Sequence, residues 1–157
     1  MNRGSLVAIY IAGAAEGGMM PLAEVRAVPG KGLEGDRYYF GGGTFSSMRS
    51  TGQEVTLLAI EMLEWLERER GIQLRPDEPR RNLITKGLSL NDLVGKVFRV
   101  GPVHLKGIRL AEPCDHLQRL TQPGVVKGFL HRAGLRADVL NEGILRVGDE
   151  ISDVALL

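Results

Sequence analysis

Short apolar runs separated by glycine, proline, asparagine or aspartate dominate the chain, and most are too short for helices. Residues 6–12 alternate weakly and predict a first strand, and 23–28, stopped by Pro29-Gly30, predict a second. Residues 54–58 read as a buried strand leading into the one long helical pattern. There Ile60, Leu63 and Leu66 recur at helical spacing, Met62 and Trp65 broaden the apolar side, and Glu64 stands four residues ahead of Arg68 in the favourable order. Gly71 is expected to end this helix as a C-cap. Residues 81–85 are strand-like, and Ser89 is expected to cap a helical turn closed by Gly95. Strand patterns return at 96–100, 103–110, 136–140 and 144–147. Gly101-Pro102 and Asn141-Glu-Gly143 predict turns between antiparallel neighbours. Residues 114–120 and 124–133 read as two short helices. The expected fold is mainly β within the α+β class, a closed or nearly closed β-barrel with no exposed edge and a few peripheral helices.

Composition narrows this further. The 157 residues fit a single domain, 1–157, with no linker, repeat or low-complexity segment. A lone cysteine forms no internal disulfide, and with only three histidines it builds no structural zinc site of the usual kinds. A net charge of +1 gives no global field for nucleic acid or anionic lipid, so neither is expected as a partner. The apolar stretch 6–12 is too short to span a bilayer and lacks a signal-peptide layout, so the expected location is cytoplasmic, where a free thiol stays reduced.

Four clusters carry candidate chemistry. In Arg109-Leu-Ala-Glu-Pro-Cys-Asp-His116 a strand runs out, Pro113 discourages its continuation, and Cys114 falls at a helix start, where backbone N–H groups favour a thiolate. Arg109 and His116 favour the same form and Glu112 and Asp115 oppose it, and the alternative is a buried small hydrophobe. In Gly32-Leu-Glu-Gly-Asp-Arg37 the glycines permit close backbone approach to a ligand, and Asp36 and Arg37 either pair or divide between ligand groups. A tight turn with a surface ion pair is the alternative. It is neither a dinucleotide fingerprint nor a Walker loop. In Arg80-Arg-Asn-Leu-Ile-Thr-Lys-Gly87, alternation places Arg80 and Asn82 on one face and Arg81 on the other, so at most one arginine joins Asn82 around a phosphate or heterocycle edge. A basic edge strand explains the same residues. Lys127 and His131, four apart on a predicted helix, form a local anion site with Arg132 and Arg136 or a solvated face.

Taken together, these pieces resemble the MOSC family, named for the C-terminal domain of molybdenum cofactor sulfurases and found alone in many bacteria. Gly32-Leu-Glu-Gly-Asp-Arg37 is similar to its early glycine-acid motif, Arg81-Asn-Leu-Ile-Thr-Lys-Gly87 to its Asn…Gly motif, Glu112-Pro-Cys114 to its Pro-Cys hallmark, and Ile144-Leu-Arg-Val-Gly-Asp149 to its closing turn. The motifs follow the family's order over about residues 25–150. The resemblance implies a β-barrel and a pocket for the molybdenum cofactor (molybdopterin). It also implies that Cys114 is either a persulfide-forming sulfur carrier or a molybdenum ligand. Arg81, Asn82, Asp36, Arg37, Gly35, Thr85 and Arg109 are the implied cofactor-binding residues. The implied partners are a cysteine desulfurase as sulfur donor, itself the bearer of pyridoxal phosphate, and a molybdoenzyme or the cofactor as acceptor. Within these 157 residues neither the desulfurase domain nor the N-terminal β-domain of many members is expected, so a separate protein is the expected sulfur donor.

Three functions follow as expectations. The first is a transferase-like sulfur carrier acting through Cys114, which needs one activated thiol and no second cysteine to resolve it. The second is a molybdenum oxidoreductase that reduces N-hydroxylated compounds with Cys114 on the metal. The third is a non-catalytic binding module for a phosphorylated small molecule, which would tolerate loss of Cys114 but not of Arg81 or Arg37.

Overall fold

A computed structural model describes residues 2–13, 17–39, 52–112 and 124–153. Eleven strands are described: β1 (Arg3–Ile11), β2 (Met20–Leu22), β3 (Glu24–Val28), β4 (Gly32–Leu33), β5 (Val55–Ala59), β6 (Leu83–Lys86), β7 (Val97–Val100), β8 (Val103–Leu110), β9 (Leu135–Val139), β10 (Gly143–Arg146) and β11 (Glu150–Asp153). Helix α1 spans Ile60–Arg70, helix α2 Val125–Phe129, and a 3₁₀ turn Leu90–Leu93. The order β11-β7-β8-β9-β5-β6-β1, with β1 returning to β11, closes a seven-stranded barrel, and β2 is added on β1. β3, β4 and β10 form a separate small sheet. Closure satisfies every strand edge of the barrel, as expected for so many short strands.

All pairs in the barrel are antiparallel except β5 with β6, where Leu57 faces Leu83 and Leu58 faces Ile84. That exception fits the burial of β5 at every position, Thr56 included. Leu57 and Leu83 join Leu6, Phe98, Leu105 and Leu135 inside the barrel. Leu58 and Ile84 point the other way, into a second cluster under the helices with Leu63, Leu66 and Phe129. The helix ends as expected, because Gly71 adopts φ 67° and the Gly71 and Ile72 N–H groups donate to the Glu67 and Leu66 carbonyls at 3.0 and 3.4 Å.

Several expectations change. Asn141-Glu-Gly143 does not join antiparallel neighbours: β10 leaves β9 and pairs with β3, while Asn141 Oδ1 accepts the His104 N–H at 2.6 Å and ties the turn to β8. Ser89 makes no side-chain capping bond, and the turn it precedes is 3₁₀. α2 stops at Phe129 and His131 takes φ 62°, so Lys127 and His131 do not share a helix face. The predicted helix 114–120 lies outside the described residues. β2, β4 and β11 lie in segments with no alternation of their own, and they form because the barrel and the small sheet supply partners.

Glu54 ties the segment ahead of β5 to two neighbours. It is 8% exposed, and its Oε1 accepts the Gly30 N–H at 3.0 Å and the Val139 N–H at 3.1 Å. Burial pushes its carboxyl above the usual carboxylate range; the two backbone donors pull it back, and Asp138 beside it adds to the rise. A carboxyl with a raised folded pKa binds its proton more tightly folded than unfolded, so its contribution to stability falls as pH rises through the folded value. Glu54→Gln, which keeps the acceptor oxygen without the charge, is therefore expected to gain on the wild type between about pH 4.5 and neutrality. Urea denaturation at both ends of that window measures it, and a stability difference independent of pH would refute it.

Candidate functional site

The segment after β4 turns sharply back to β1. Asp36 N–H donates to the Leu33 carbonyl (3.0 Å) and Arg37 N–H to the Ala12 carbonyl (2.7 Å). Gly35 has φ 89°, in the left-handed region that side chains avoid, and a Cβ there would stand 3.1 Å from the Ile11 Cδ1 atom. Asp36 is thereby buried, 2% exposed, against the end of β1. Its Oδ1 accepts the Ala12 N–H at 3.0 Å and the Asn82 side-chain amide at 3.3 Å.

Asn82 arrives from the entry to β6 and uses its whole side chain. Its Oδ1 accepts the Thr56 N–H at 3.0 Å and the Thr56 hydroxyl at 3.1 Å, while its Nδ2 donates to the Tyr10 carbonyl at 3.1 Å as well as to Asp36. One amide thus joins β1, β5 and the Gly35 turn, bringing the Gly32–Arg37 and Arg80–Gly87 clusters into contact. Burial raises the Asp36 carboxyl above its usual range; the Ala12 and Tyr38 N–H groups, the Arg37 charge and the Asn82 amide oppose that rise.

Asp36 and Arg37 divide rather than pair. Arg37 stacks on Tyr38, 4.6 Å from the ring centre, and donates to its hydroxyl at 2.8 Å. Arg80 comes to the same place from the other side. Its backbone takes φ 62° and its guanidinium donates to the Gly17 carbonyl. Asp36, Arg37, Tyr38, Arg80 and Asn82 line one narrow gap of about 10 Å³, which shares Met19 and Arg80 with a separate hollow of about 180 Å³ whose wall also includes Gly17, Gly18, Arg75, Asp77 and Glu78. Two larger hollows, of about 440 and 400 Å³, lie elsewhere, beside Asp92 and Lys96 and beside Ser89 and His131, and neither touches a motif residue of the Asp36–Asn82 contact. The smaller gap is distinguished by the motif residues that meet in it, Asp36, Arg37 and Asn82, and not by its size.

The other predicted residues fall in different places. Arg81 turns away from the cleft, as alternation predicts. It is 9% exposed, and its Nε donates to the Ala133 carbonyl at 2.8 Å and its Nη2 to the Ala111 carbonyl at 3.0 Å. Thr85 is wholly buried within β6, on the side it shares with Leu83, and its hydroxyl meets no hydrogen-bond partner among the described residues. Arg109 is exposed on β8, opposite Arg136, with a guanidinium nitrogen 2.7 Å from where a Gly52 Cβ would stand. Cys114 lies outside the described residues, as do Pro113 and His116. His131, instead of joining Lys127, donates its N–H to Glu112 at 2.7 Å and sets its ring Nδ1 2.7 Å from the same carboxylate. Arg132 lies 3.9 Å over the Trp65 ring. The residue absent from the implied binding set is Arg80, whose signal was already present in its sharing a face with Asn82. Among the described residues no group of three or more metal-binding side chains converges, and no helix is long and apolar enough to cross a membrane.

Comparison with known proteins agrees with the architecture. The YuaD protein of Bacillus subtilis superposes with a TM-score of 0.79 at 19% identity, over 95% of this chain and 94% of that one. YiiM from Geobacillus stearothermophilus gives 0.72 at 16% identity over 97% and 75%, and YiiM from Escherichia coli 0.71 at 18% over 99% and 71%. No curated protein matches the sequence. The family model of the MOSC domain matches residues 36–152, a span that opens on Asp36 and takes in Asn82 and Cys114. The chain belongs to the MOSC-domain family, whose domain is associated with the molybdenum cofactor.

Proposed function

We propose that the protein binds the molybdenum cofactor, or a related sulfur acceptor, and that Cys114 carries sulfane sulfur to it as a persulfide. The observation that carries this reading is the contact between Asp36 and Asn82, which gathers two arginines, Arg37 and Arg80, around one cleft. Guanidinium groups suit the phosphate of that cofactor, and the Asn82 and Asp36 pair fixes the loops that present them; the gap of about 10 Å³ would have to widen to admit it. Arg37 and Arg80 would hold the phosphate, with the Gly17-Gly18 backbone beside them. When bound, the cofactor would supply a metal centre able to accept sulfur, and release of the Cys114 persulfide sulfur as sulfide would draw two electrons from an external small-molecule thiol.

The neighbouring residue in sequence supports the role of the thiol. Arg81, next to Asn82, holds the Ala111 carbonyl. Three peptide units separate Ala111 from Cys114, a covalent reach of about 11 Å at most. Sulfur acquisition is then a balanced exchange. The Cys114 thiolate attacks the outer sulfur of a donor persulfide, a new S–S bond forms on Cys114 as the donor's S–S bond breaks, and the donor leaves as its thiolate. No net oxidant is required. The cysteine desulfurase that would supply the donor persulfide, and the cytoplasmic setting that keeps the thiol reduced, belong to this proposal.

Incubation of the reduced protein with a cysteine desulfurase and cysteine, followed by intact mass measurement, is expected to show one added sulfur atom per chain that cyanide removes. Cys114→Ser is expected to show none. Absence of the adduct on the wild type, with molybdenum retained after purification from a cofactor-producing host, would replace this reading by the oxidoreductase one.

A further inference from the structure

The hollow of about 400 Å³ beside Ser89 and His131 lies apart from the Asp36–Asn82 cleft, and its size falls within the roughly 300–1,000 Å³ of small-molecule sites. Part of its wall is apolar: Ala59, Leu88 and Leu90 are buried there and Met62 is half-buried. The rest is polar and held in place from several sides. Asn2 grips the Ser89 backbone, accepting its N–H at 3.0 Å and donating to its carbonyl at 2.7 Å. The Asn91 amide donates to the His131 carbonyl at 3.0 Å and so ties the 3₁₀ turn to the facing wall. The Glu112 carboxylate takes both the backbone N–H and the ring Nδ1 of His131 at 2.7 Å. His131 stays at φ 62° under these constraints, and a non-glycine residue at positive φ persists only where its surroundings over-determine it.

We propose that this hollow binds a small monocarboxylate, with the carboxylate on Arg132 and a short apolar body against Met62, Leu88 and Leu90. Of the basic residues that the sequence grouped here, His131 and Arg132 reach the hollow, whereas Arg136 stands opposite Arg109 between β9 and β8. Their charges are not equally available. His131 already faces the Glu112 carboxylate. Arg132 has no acidic partner among the described residues: its guanidinium lies 3.9 Å over the Trp65 ring and its Nη1 makes a long bond, 3.4 Å, to the Leu130 carbonyl. A guanidinium held flat on an indole keeps its donors in one plane and loses little freedom when an anion docks. One unmatched cation calls for one negative charge, and a phosphate dianion would bring a second charge that nothing in the wall meets. The aliphatic wall calls for a ligand with carbon next to the charged end, since burying it against leucine and methionine is what adds affinity.

The test is a titration of the whole protein with sodium hexanoate, followed residue by residue in proton–nitrogen correlation spectra. Saturable shifts are expected at the backbone amides of Leu88–Asn91 and His131–Gly134, with a Kd in the millimolar range or below. Hexanamide has the same chain without the charge and is expected to bind there roughly tenfold or more weakly, the usual worth of a hydrogen bond to a charged group. Inorganic phosphate, which has the charge without the chain, is expected to bind the hollow more weakly than hexanoate as well. Arg132→Gln is expected to bring hexanoate down to the level of hexanamide. Absence of saturable shifts at the hollow would overturn the proposal, as would shifts centred on Arg37 and Arg80 instead. Equal binding of hexanoate and hexanamide would overturn it too, because the charge of Arg132 would then play no part. If Arg132→Gln fails to fold for want of its contact with Trp65, the comparison of hexanoate, hexanamide and phosphate on the unaltered protein decides. None of these readouts involves sulfur transfer or the cofactor, so this proposal and the proposed function fail separately.

Discussion

Gly134→Ala is expected to cost the protein most of its stability. Gly134 has φ 113°, and a Cβ on it would stand 1.9 Å from the Leu57 carbonyl oxygen and 3.0 Å from the carbon behind it. Both atoms are backbone of β5, a strand held between β6 and β9, so neither yields as the tip of a side chain would. The strained φ alone costs about 1–3 kcal/mol. Displacing a strand that is buried on both faces brings the total to roughly 4 kcal/mol or more, against the 5–15 kcal/mol that holds a typical domain together. At about 2–4 °C per kcal/mol for this chain length, the melting temperature should fall by roughly 10 °C or more. A thermal melt checks this, and a shift of only a degree or two would show that β9 does not press on β5 as described.

Asn82→Ala is the second large effect, and it strikes both stability and the cleft. The substitution leaves the Thr56 N–H, the Tyr10 carbonyl and Asp36 without the groups that met them. Buried polar groups left unpaired cost about 1–3 kcal/mol each, so a loss of roughly 3–5 kcal/mol is expected. Asn82→Asp separates size from chemistry. It preserves the shape and the acceptor facing Thr56, but it replaces the donor to Tyr10 and Asp36 by a carboxylate beside a carboxylate. Its destabilisation is expected to grow as pH rises and both acids ionise, because like charges at hydrogen-bond distance repel. Urea denaturation across the acid range measures this. A penalty independent of pH would mean that the Asn82 amide does not face Asp36.

These two positions differ in how much of their role was legible in advance. Asn82 stood out because it directly follows two arginines at the entry to a strand, and its place in a motif similar to the family's marked it again. Its bonding was not legible, since Thr56, Tyr10 and Asp36 are distant in sequence and meet only when the barrel closes. Gly134 carried no distinguishing mark among 21 glycines. The need for glycine there arises from the approach of β9 to β5, a contact that no local pattern encodes. Arg80 and Arg81 show the same division. Alternation correctly separated their faces, but which of the two faced Asp36 depended on where β1 and the Gly35 turn came to lie.

The chain by itself determined its strand-rich character, the helix from Ile60 to its glycine stop, the approximate positions of most barrel strands, and the order of the motifs that mark the family. These are local properties: the spacing of apolar side chains, the rotational freedom of glycine and the fixed φ of proline act within a few residues. The tertiary structure decided the closure of β1 onto β11, the departure of β10 to β3, the existence of strands as short as Gly32–Leu33, and the junction of Asp36 with Asn82. It also decided that one buried arginine would hold both ends of the segment carrying the lone cysteine. Each of these depends on hydrogen bonds between groups far apart along the chain, whose partners are set only when the whole sheet closes and excludes water from between them.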